Sequence, residues 1–169
     1  MRAPGRAPSL LRNWLRIPHF CRITTFRPCL NTDRSSEPIE VHNNITEPGI
    51  VVVLDDTLLD SVDVTEGLKQ DGTVILNTVM TADEARAKLG VADTVKVAVV
   101  DATGIAMDTI KRDMPNTPIV GALSKVTGVV PVDKVEERLV ITFGKKFTQE
   151  MIDANIQSVK RAFEEVSLA

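Results

Sequence analysis

Three short runs of apolar residues carry the strongest structural signal in the chain. They span residues 50–54, 73–77 and 95–101, and β-branched residues dominate each of them. The run 50–54 is continuous, which is typical of strands buried on both faces, as in parallel sheets. The sequence therefore predicts three strands in the interior of one sheet. A shorter segment, residues 38–41, is predicted as an edge strand.

Apolar residues at helical spacing alternate with these strands. Thr81 and Glu84 fit a capping box, and Gly90 is a stop signal. Pro131 suits the start of a helix that Gly144 ends. The predicted helical segments are 57–69 (a short helix or a turn-rich crossover), 81–89, 103–112, 119–127, 131–143 and 148–166. This alternation favours right-handed crossovers, so the predicted fold class is α/β, a Rossmann-like three-layer domain with a mostly parallel sheet.

Polar side chains stand where the three predicted strands end. These are Asp55, Asn77 and Asp101. Ligands of open α/β sheets bind at the carboxyl ends of the strands, so the three side chains are candidates for lining a crevice. The alternative is that they cap helices or bond to N–H groups of the loops.

A segment of prolines and small residues, 114–128, is the most distinctive part of the chain. Pro115 and Pro118 flank a polar turn, and Gly121 and Ala122 follow on a predicted helix. Small residues allow another backbone to approach closely. We expect this segment to contact a neighbouring backbone or subunit.

Charge divides the chain near residue 33. Residues 1–32 hold six arginines and no acidic residue, a net charge of +6, whereas residues 33–169 carry −9. An acidic body is a poor match for nucleic acids, whose phosphates require a basic surface. It suits either a basic partner surface or a solvated exterior.

Residues 1–33 form a basic head that differs in kind from the rest. It contains both cysteines, Cys21 and Cys29, which form no CxxC pair and are too few to hold a cluster alone. Three interpretations stay open: an organelle presequence, a nucleic-acid arm, or a segment that is not native protein because of a misassigned start or a shifted reading frame. We expect disorder in each case and place the folded domain at residues 34–169.

Residues 34–169 offer no recognisable set of catalytic side chains. His42 is their only histidine and they contain no cysteine, so neither a Ser-His-Asp nor a Cys-His arrangement can be assembled. Glycine-rich phosphate loops of the GxGxxG or Walker type are absent. We therefore name no catalytic, cofactor-binding or metal-binding residue. No apolar run reaches eighteen residues, so no membrane span is predicted either.

Several short motifs follow one another in a specific order through the body. Among them are VVVLDDTLL at 51–59, VILNT at 74–78, VVDAT at 99–103, PNTP at 115–118, GAL at 121–123, VTG at 126–128 and IDAN at 152–155. From about Arg34 to Val166 the chain resembles the gamma subunits of 2-oxoacid:ferredoxin oxidoreductases. The resemblance is greatest to the pyruvate branch of this family, pyruvate:ferredoxin oxidoreductase or pyruvate synthase.

The resemblance implies a function within a complex. Such complexes oxidatively decarboxylate a 2-oxoacid with coenzyme A, releasing CO2 and reducing ferredoxin. It implies thiamine diphosphate and iron–sulfur clusters on other subunits, with alpha, beta and delta subunits as partners and a cytoplasmic location. The gamma subunit is expected to act as scaffold and interface, with no catalytic residue of its own and no activity alone.

One departure from the family pattern affects the expected fold. Family members begin with a strand and a glycine-rich loop, and neither is found before Arg34. We therefore expect the first strand to be missing, an open strand edge, and a chain that is marginally stable or prone to aggregate alone. Three other readings stay open: a 2-oxoisovalerate-type gamma subunit, a Rossmann-type small-molecule binding module using Asp55 and Asp101, and a structural partner without an enzymatic link.

Overall fold

A computed structural model describes residues 21–24, 30–32, 47–144 and 147–169. The strands are β1 (Cys21–Thr24), β2 (Leu30–Thr32), β3 (Ile50–Val53), β4 (Thr73–Asn77), β5 (Lys96–Val100) and β6 (Ser167–Leu168). The helices are a 3-10 helix (Asp56–Asp60), α1 (Ala82–Leu89), α2 (Ala102–Thr109), α3 (Pro118–Thr127), α4 (Val132–Phe143) and α5 (Gln149–Glu165).

The described strands form one sheet in the order β2-β1-β3-β4-β5-β6. β1, β3, β4 and β5 run parallel, while β2 and β6 pair antiparallel with β1 and β5. Ile50 lies opposite Thr73, and Thr73 lies opposite Lys96, so the interior strands start level with one another. The predicted α/β class with a mostly parallel sheet is confirmed.

Each face of the sheet has its own apolar core, because successive side chains of a strand point to opposite sides. One core joins the sheet to α1 and the 3-10 helix; it includes Val51, Val53, Leu58, Val74, Leu76, Ala85, Val97 and Val99. The other joins it to α2, α3 and α5; it includes Ile50, Val52, Ile75, Ala98, Val100, Ile105, Ala122 and Ala162. Helices therefore cover both sides of the sheet in three layers, as predicted.

Local sequence signals set several helix ends. At the start of α1, the Thr81 hydroxyl accepts from the Glu84 N–H, while the Glu84 carboxylate accepts from the Thr81 N–H. Gly90 and Gly128 follow α1 and α3 with φ of 62°, a left-handed conformation that suits glycine. Pro131 precedes α4, as its fixed φ favours.

The close approach predicted around Gly121 takes place within the chain. A Cβ atom on Gly121 would overlap the backbone carbonyl oxygen of Val159 on α5. Lys125, one turn further along α3, places its Nζ 4.7 Å from the centre of the Phe163 ring, one turn further along α5. The small residues of the segment therefore allow α3 to pack against α5, and a second subunit is not needed to explain them.

The structure departs from the sequence expectations at the ends of the sheet. β1 and β2 lie inside the segment for which we expected disorder, and β1 pairs with β3 where we expected an open edge. β6 was not predicted, since two residues show no periodicity. The 3-10 helix agrees with the short-helix alternative for the segment 57–69, although it begins one residue earlier. The edge strand predicted at 38–41 lies outside the described residues.

Within the described part of the chain, no helix is both long enough and apolar enough to cross a membrane. The boundary proposed between residues 33 and 34 stays a prediction.

Candidate functional site at the carboxyl edge of the sheet

The parallel register brings the three candidate side chains to one edge. β3, β4 and β5 run in the same direction, so Asp55, Asn77 and Asp101, which follow or end them, meet at the carboxyl edge. The sequence prediction of a shared edge is thus confirmed. The hydrogen bonds of these side chains distinguish between the two alternatives, lining a crevice or capping helices and loops.

Asn77, at the end of β4, links the end of β3 to the start of α2 from a largely buried position. Its Nδ2 donates to the carbonyl oxygen of Leu54 and to Thr103 Oγ1, both at 2.9 Å. Its Oδ1 accepts from the Thr103 backbone N–H at 3.1 Å. All the hydrogen-bonding groups of the amide therefore have partners within the chain.

Asp55 and Asp101 both act as caps. Asp101 Oδ1 accepts from the Gly104 N–H at 2.7 Å at the start of α2. Asp55 Oδ1 accepts from the Thr57 N–H at 3.1 Å and from its hydroxyl at 2.6 Å at the start of the 3-10 helix. These contacts match the capping alternative, in which a carboxylate satisfies N–H groups that have no partner within the helix.

Two further features of this edge were not found from the sequence. Thr78 donates from its hydroxyl to Asp56 Oδ2 at 2.8 Å, joining the loops after β4 and β3. Val79 follows, and 82% of its surface is exposed. The sequence signal for Thr78 was its place directly after a buried strand, but a partner 22 residues away could not be read from spacing.

The electrostatic character of the edge is acidic. Glu84 adds a carboxylate in the first turn of α1, and its pKa is lowered because it accepts a hydrogen bond from the Thr81 backbone N–H and a second from the Thr81 hydroxyl. Residues 54–60, 77–84 and 100–104 include no lysine or arginine. Such an edge repels phosphate groups, and the carboxylate of Asp101 already occupies the positive end of α2.

A separate shallow cavity of about 320 Å³ lies between the segment 59–65 and the end of α1. An ion pair bridges its lining, since Lys88 Nζ lies 2.8 Å from Asp60 Oδ1. Among the described residues, no group of three or more histidine, cysteine, aspartate and glutamate side chains is arranged to hold a metal ion. The polar side chains of the carboxyl edge thus bond to its loops and helix starts.

Comparison with known protein families identifies the domain. A family model described as pyruvate ferredoxin/flavodoxin oxidoreductase matches residues 27–165, most of the chain. The chain belongs to this family. The resemblance found from the ordered motifs is confirmed.

Individual relatives agree with the family match. The chain is 48% identical over 130 residues to "Pyruvate synthase subunit PorC" of Thermotoga maritima, covering 77% of this chain. It is 44% identical over 128 residues to "Pyruvate/ketoisovalerate oxidoreductases common subunit gamma" of Thermococcus litoralis, covering 76% of this chain. In both cases the match spans 66% of the relative's length, just under two thirds.

Solved structures support the same family fold. The crystal structure of pyruvate oxidoreductase subunit PORC from Thermotoga maritima matches with a TM-score of 0.67 and 46% identity, over 74% of this chain and 67% of that one. The gamma subunit of a keto/oxoacid ferredoxin oxidoreductase from Geobacter sulfurreducens matches with a TM-score of 0.54 and 16% identity, over 78% of this chain and 66% of that one. The second likeness concerns the fold alone.

Proposed function

We propose that this chain is a gamma-type subunit of a pyruvate:ferredoxin oxidoreductase. In that role it belongs to a cytoplasmic complex that converts pyruvate and coenzyme A to acetyl-CoA and CO2 and passes the released electrons to ferredoxin. The observation that carries the proposal is the 48% identity to a pyruvate synthase subunit, sustained over 130 residues.

The chain contributes a scaffold and an interface to this complex. The polar side chains at the carboxyl edge, where an α/β domain would place its ligand, are engaged in caps and loop bonds. As the family resemblance implies, we place thiamine diphosphate and the iron–sulfur clusters on partner subunits of the alpha, beta and delta kinds. We assign no catalytic residue to this chain.

A separate observation favours a broader substrate range for the complex that contains this chain. Relatives 44% and 42% identical to this chain are named as a subunit common to pyruvate and ketoisovalerate oxidoreductases. One gamma chain that serves both enzymes would leave the choice of 2-oxoacid to its partners. A 2-oxoisovalerate enzyme containing this chain is therefore the second candidate.

Reconstitution tests the proposal. The chain is co-expressed with alpha, beta and delta subunits, and CoA-dependent oxidation of pyruvate and of 2-oxoisovalerate is followed by reduction of ferredoxin. We expect activity in the full assembly, none from the chain alone, and a large loss when this chain is omitted. Full activity without it, or turnover of pyruvate by the chain alone, would overturn the proposal.

The cofactor assignment has a separate test. The purified chain, after incubation with iron and sulfide, is expected to show no absorbance bands of an iron–sulfur cluster. Titration with thiamine diphosphate is expected to produce no heat of binding. A stable cluster or a saturable binding isotherm would place a cofactor on this chain and contradict the assignment.

A further inference from the structure

Val79 is the most exposed large apolar side chain in the described part of the chain. It is 82% exposed, whereas the other large apolar side chains that the fold leaves exposed there range from 39% to 60%. It lies on the connection 78–81 between β4 and α1, at the carboxyl edge of the sheet. A single exposed apolar side chain is ordinary on a protein surface, so the surroundings of Val79 decide whether it marks an interface.

The chain on both sides of Val79 is fixed by hydrogen bonds. The Thr78 N–H donates to the Val100 carbonyl oxygen at 3.1 Å, and the Thr78 hydroxyl donates to Asp56 Oδ2 at 2.8 Å. The Met80 N–H donates to Thr78 Oγ1 at 3.3 Å, and the capping box of α1 begins at the next residue. Val79 is therefore presented on a rigid turn, which loses little conformational freedom when a partner covers it.

Carboxylates flank this turn. Asp56 bonds to the residue before Val79, and Glu84 belongs to the capping box that begins two residues after it, so both carboxylates lie beside the turn. Asp83 is exposed in the first turn of α1, next to Glu84. We call Val79, Asp56, Asp83 and Glu84 the Val79 surface.

Basic side chains do not offset these carboxylates. Residues 54–59 and 77–84 together contain four acidic residues and no basic one, a net charge of −4. Arg86 and Lys88 follow on α1, but Arg86 donates to two backbone carbonyl oxygens elsewhere, and Lys88 pairs with Asp60 at 2.8 Å. The Val79 surface thus joins a rigid apolar centre to an acidic rim.

We propose that the Val79 surface docks this chain onto a partner subunit of its complex, at an apolar depression rimmed by lysine and arginine side chains. The inference rests on the proposed function, because a separate oxidoreductase subunit is the occupant. Burial of Val79 supplies the apolar contact, and the carboxylates around it select a basic rim on the partner. The body of a second copy is disfavoured, since its residues 33–169 carry −9, the same sign as this surface.

Retention of the alpha, beta and delta subunits by the co-expressed full chain tests the apolar centre. Val79→Asp places a carboxylate in the contact, and Val62→Asp is the matched control, since Val62 is 49% exposed but lines the separate cavity. We expect wild type and Val62→Asp to retain the partner subunits, and Val79→Asp to retain at least about tenfold less. Both variants should unfold at the wild-type urea concentration, because both side chains are exposed.

The acidic rim has its own test by charge reversal. Asp83→Lys is expected to weaken retention at about 0.05 M salt, and the difference from wild type should shrink at about 0.5 M. Asp71→Lys is the control, because Asp71 is exposed in the turn before β4, at the opposite edge of the sheet. If Asp83→Lys behaves like wild type at both salt concentrations, the partner surface is not basic and the proposed occupant is wrong.

The results distinguish a failure of the docking inference from a failure of the proposed function. Full retention of the partners by Val79→Asp, alongside a wild type that binds them, overturns the docking inference alone. A wild type that retains no partner subunit overturns the proposed function and the inference with it. If Val79→Asp instead abolishes self-association of the chain, the Val79 surface joins two copies and the proposed occupant is wrong.

Discussion

Asn77 and Thr103 bond to each other twice across the carboxyl edge of the sheet. The Asn77 amide donates to the Thr103 hydroxyl at 2.9 Å and accepts from the Thr103 backbone N–H at 3.1 Å. A third bond reaches the carbonyl oxygen of Leu54. One largely buried amide thus fixes the end of β3 and the start of α2 relative to β4.

Removing this amide should destabilise the domain. Asn77→Ala leaves the Leu54 carbonyl and the Thr103 N–H without this partner. Both groups are only partly buried, so the loss for each should be near the lower end of the roughly 1–3 kcal/mol that an unpaired buried group costs. Thr103→Val is the matched control, since it removes the hydroxyl but keeps the backbone N–H bonded to Asn77, and its loss should be smaller. Urea unfolding of the three proteins measures the difference. Equal losses of unfolding free energy for both variants would show that the bonds from the Asn77 side chain to the backbone of Leu54 and Thr103 contribute little.

Two substitutions of Asp101 distinguish a role as a helix cap from a role in ligand binding. Asp101→Ala should cost about 0.5–2 kcal/mol of stability, because the Gly104 N–H loses its acceptor. Asp101→Ser keeps a capping oxygen but removes the carboxylate. We expect this variant to retain both near-wild-type stability and the 2-oxoacid oxidation activity of the assembled complex.

The opposite result would support the alternative interpretation, in which Asp101 helps to line a ligand-binding crevice. If Asp101→Ser unfolds like wild type but its complex loses activity, the carboxylate has a role beyond capping. Gly104 belongs to the same arrangement, since a Cβ atom there would overlap the Asp101 carboxylate. Gly104→Ala should therefore disturb the cap without changing any charge.

Gly121 should be intolerant of even a methyl group. The carbonyl oxygen of Val159 belongs to the backbone of α5, so it cannot rotate away as a side chain could. We expect Gly121→Ala to force α3 and α5 apart and to cost about 1–3 kcal/mol, measured by urea unfolding. Gly128→Ala is the control, because its Cβ meets open space and only the left-handed φ opposes it, at about 1–2 kcal/mol. The steric explanation fails if Gly121→Ala is as stable as wild type.

The capping box of α1 should make stability depend on pH in the acid range. The pKa of Glu84 is lowered by the Thr81 N–H bond and then by the Thr81 hydroxyl, so the native state binds the proton less readily than the unfolded chain. This contribution is complete above the ordinary glutamate pKa and is lost as pH falls through the lowered value. Glu84→Gln keeps an acceptor oxygen but does not titrate.

The measurement is the difference in urea midpoint between wild type and Glu84→Gln as a function of pH. We expect any advantage of wild type to be constant at neutral pH and to shrink as the solution becomes more acid than the ordinary glutamate pKa. A difference that stays unchanged down to the acid-unfolding limit would show that the carboxylate contributes nothing specific.

Local signals allowed the sequence to predict much of the fold. The box formed by Thr81 and Glu84 lies within four residues, and the stops at Gly90 and Gly128 need only a left-handed φ. The three interior strands were predicted because side chains buried on both faces of a sheet are mostly apolar. Each of these features depends on neighbours in the chain, which is why composition and spacing sufficed.

Features that depend on distant partners could not be predicted in the same way. Asn77 was placed at the correct edge, but its bonds to Leu54 and Thr103 span 23 and 26 residues and depend on strand register. Gly121 indicated close packing without indicating that Val159 was the neighbour. β1 was missed because its segment was interpreted from its charge, and charge does not reveal whether a strand will pair.

The pairing of β1 with β3 leads to a prediction about the basic head. Cys21 to Thr24 lie in parallel register with Ile50 to Val53, so β1 covers an edge of β3 that would otherwise be open. Removing residues 1–33 should lower the urea midpoint and produce concentration-dependent light scattering, because exposed strand edges pair with other chains. Removing only residues 1–20 is the control, since β1 is kept, and this variant should behave like the full chain. The prediction is wrong if residues 34–169 unfold cooperatively at the urea midpoint of the full chain and scatter no more light than it does. In that case β1 does not stabilise the sheet, and the folded domain begins at residue 34.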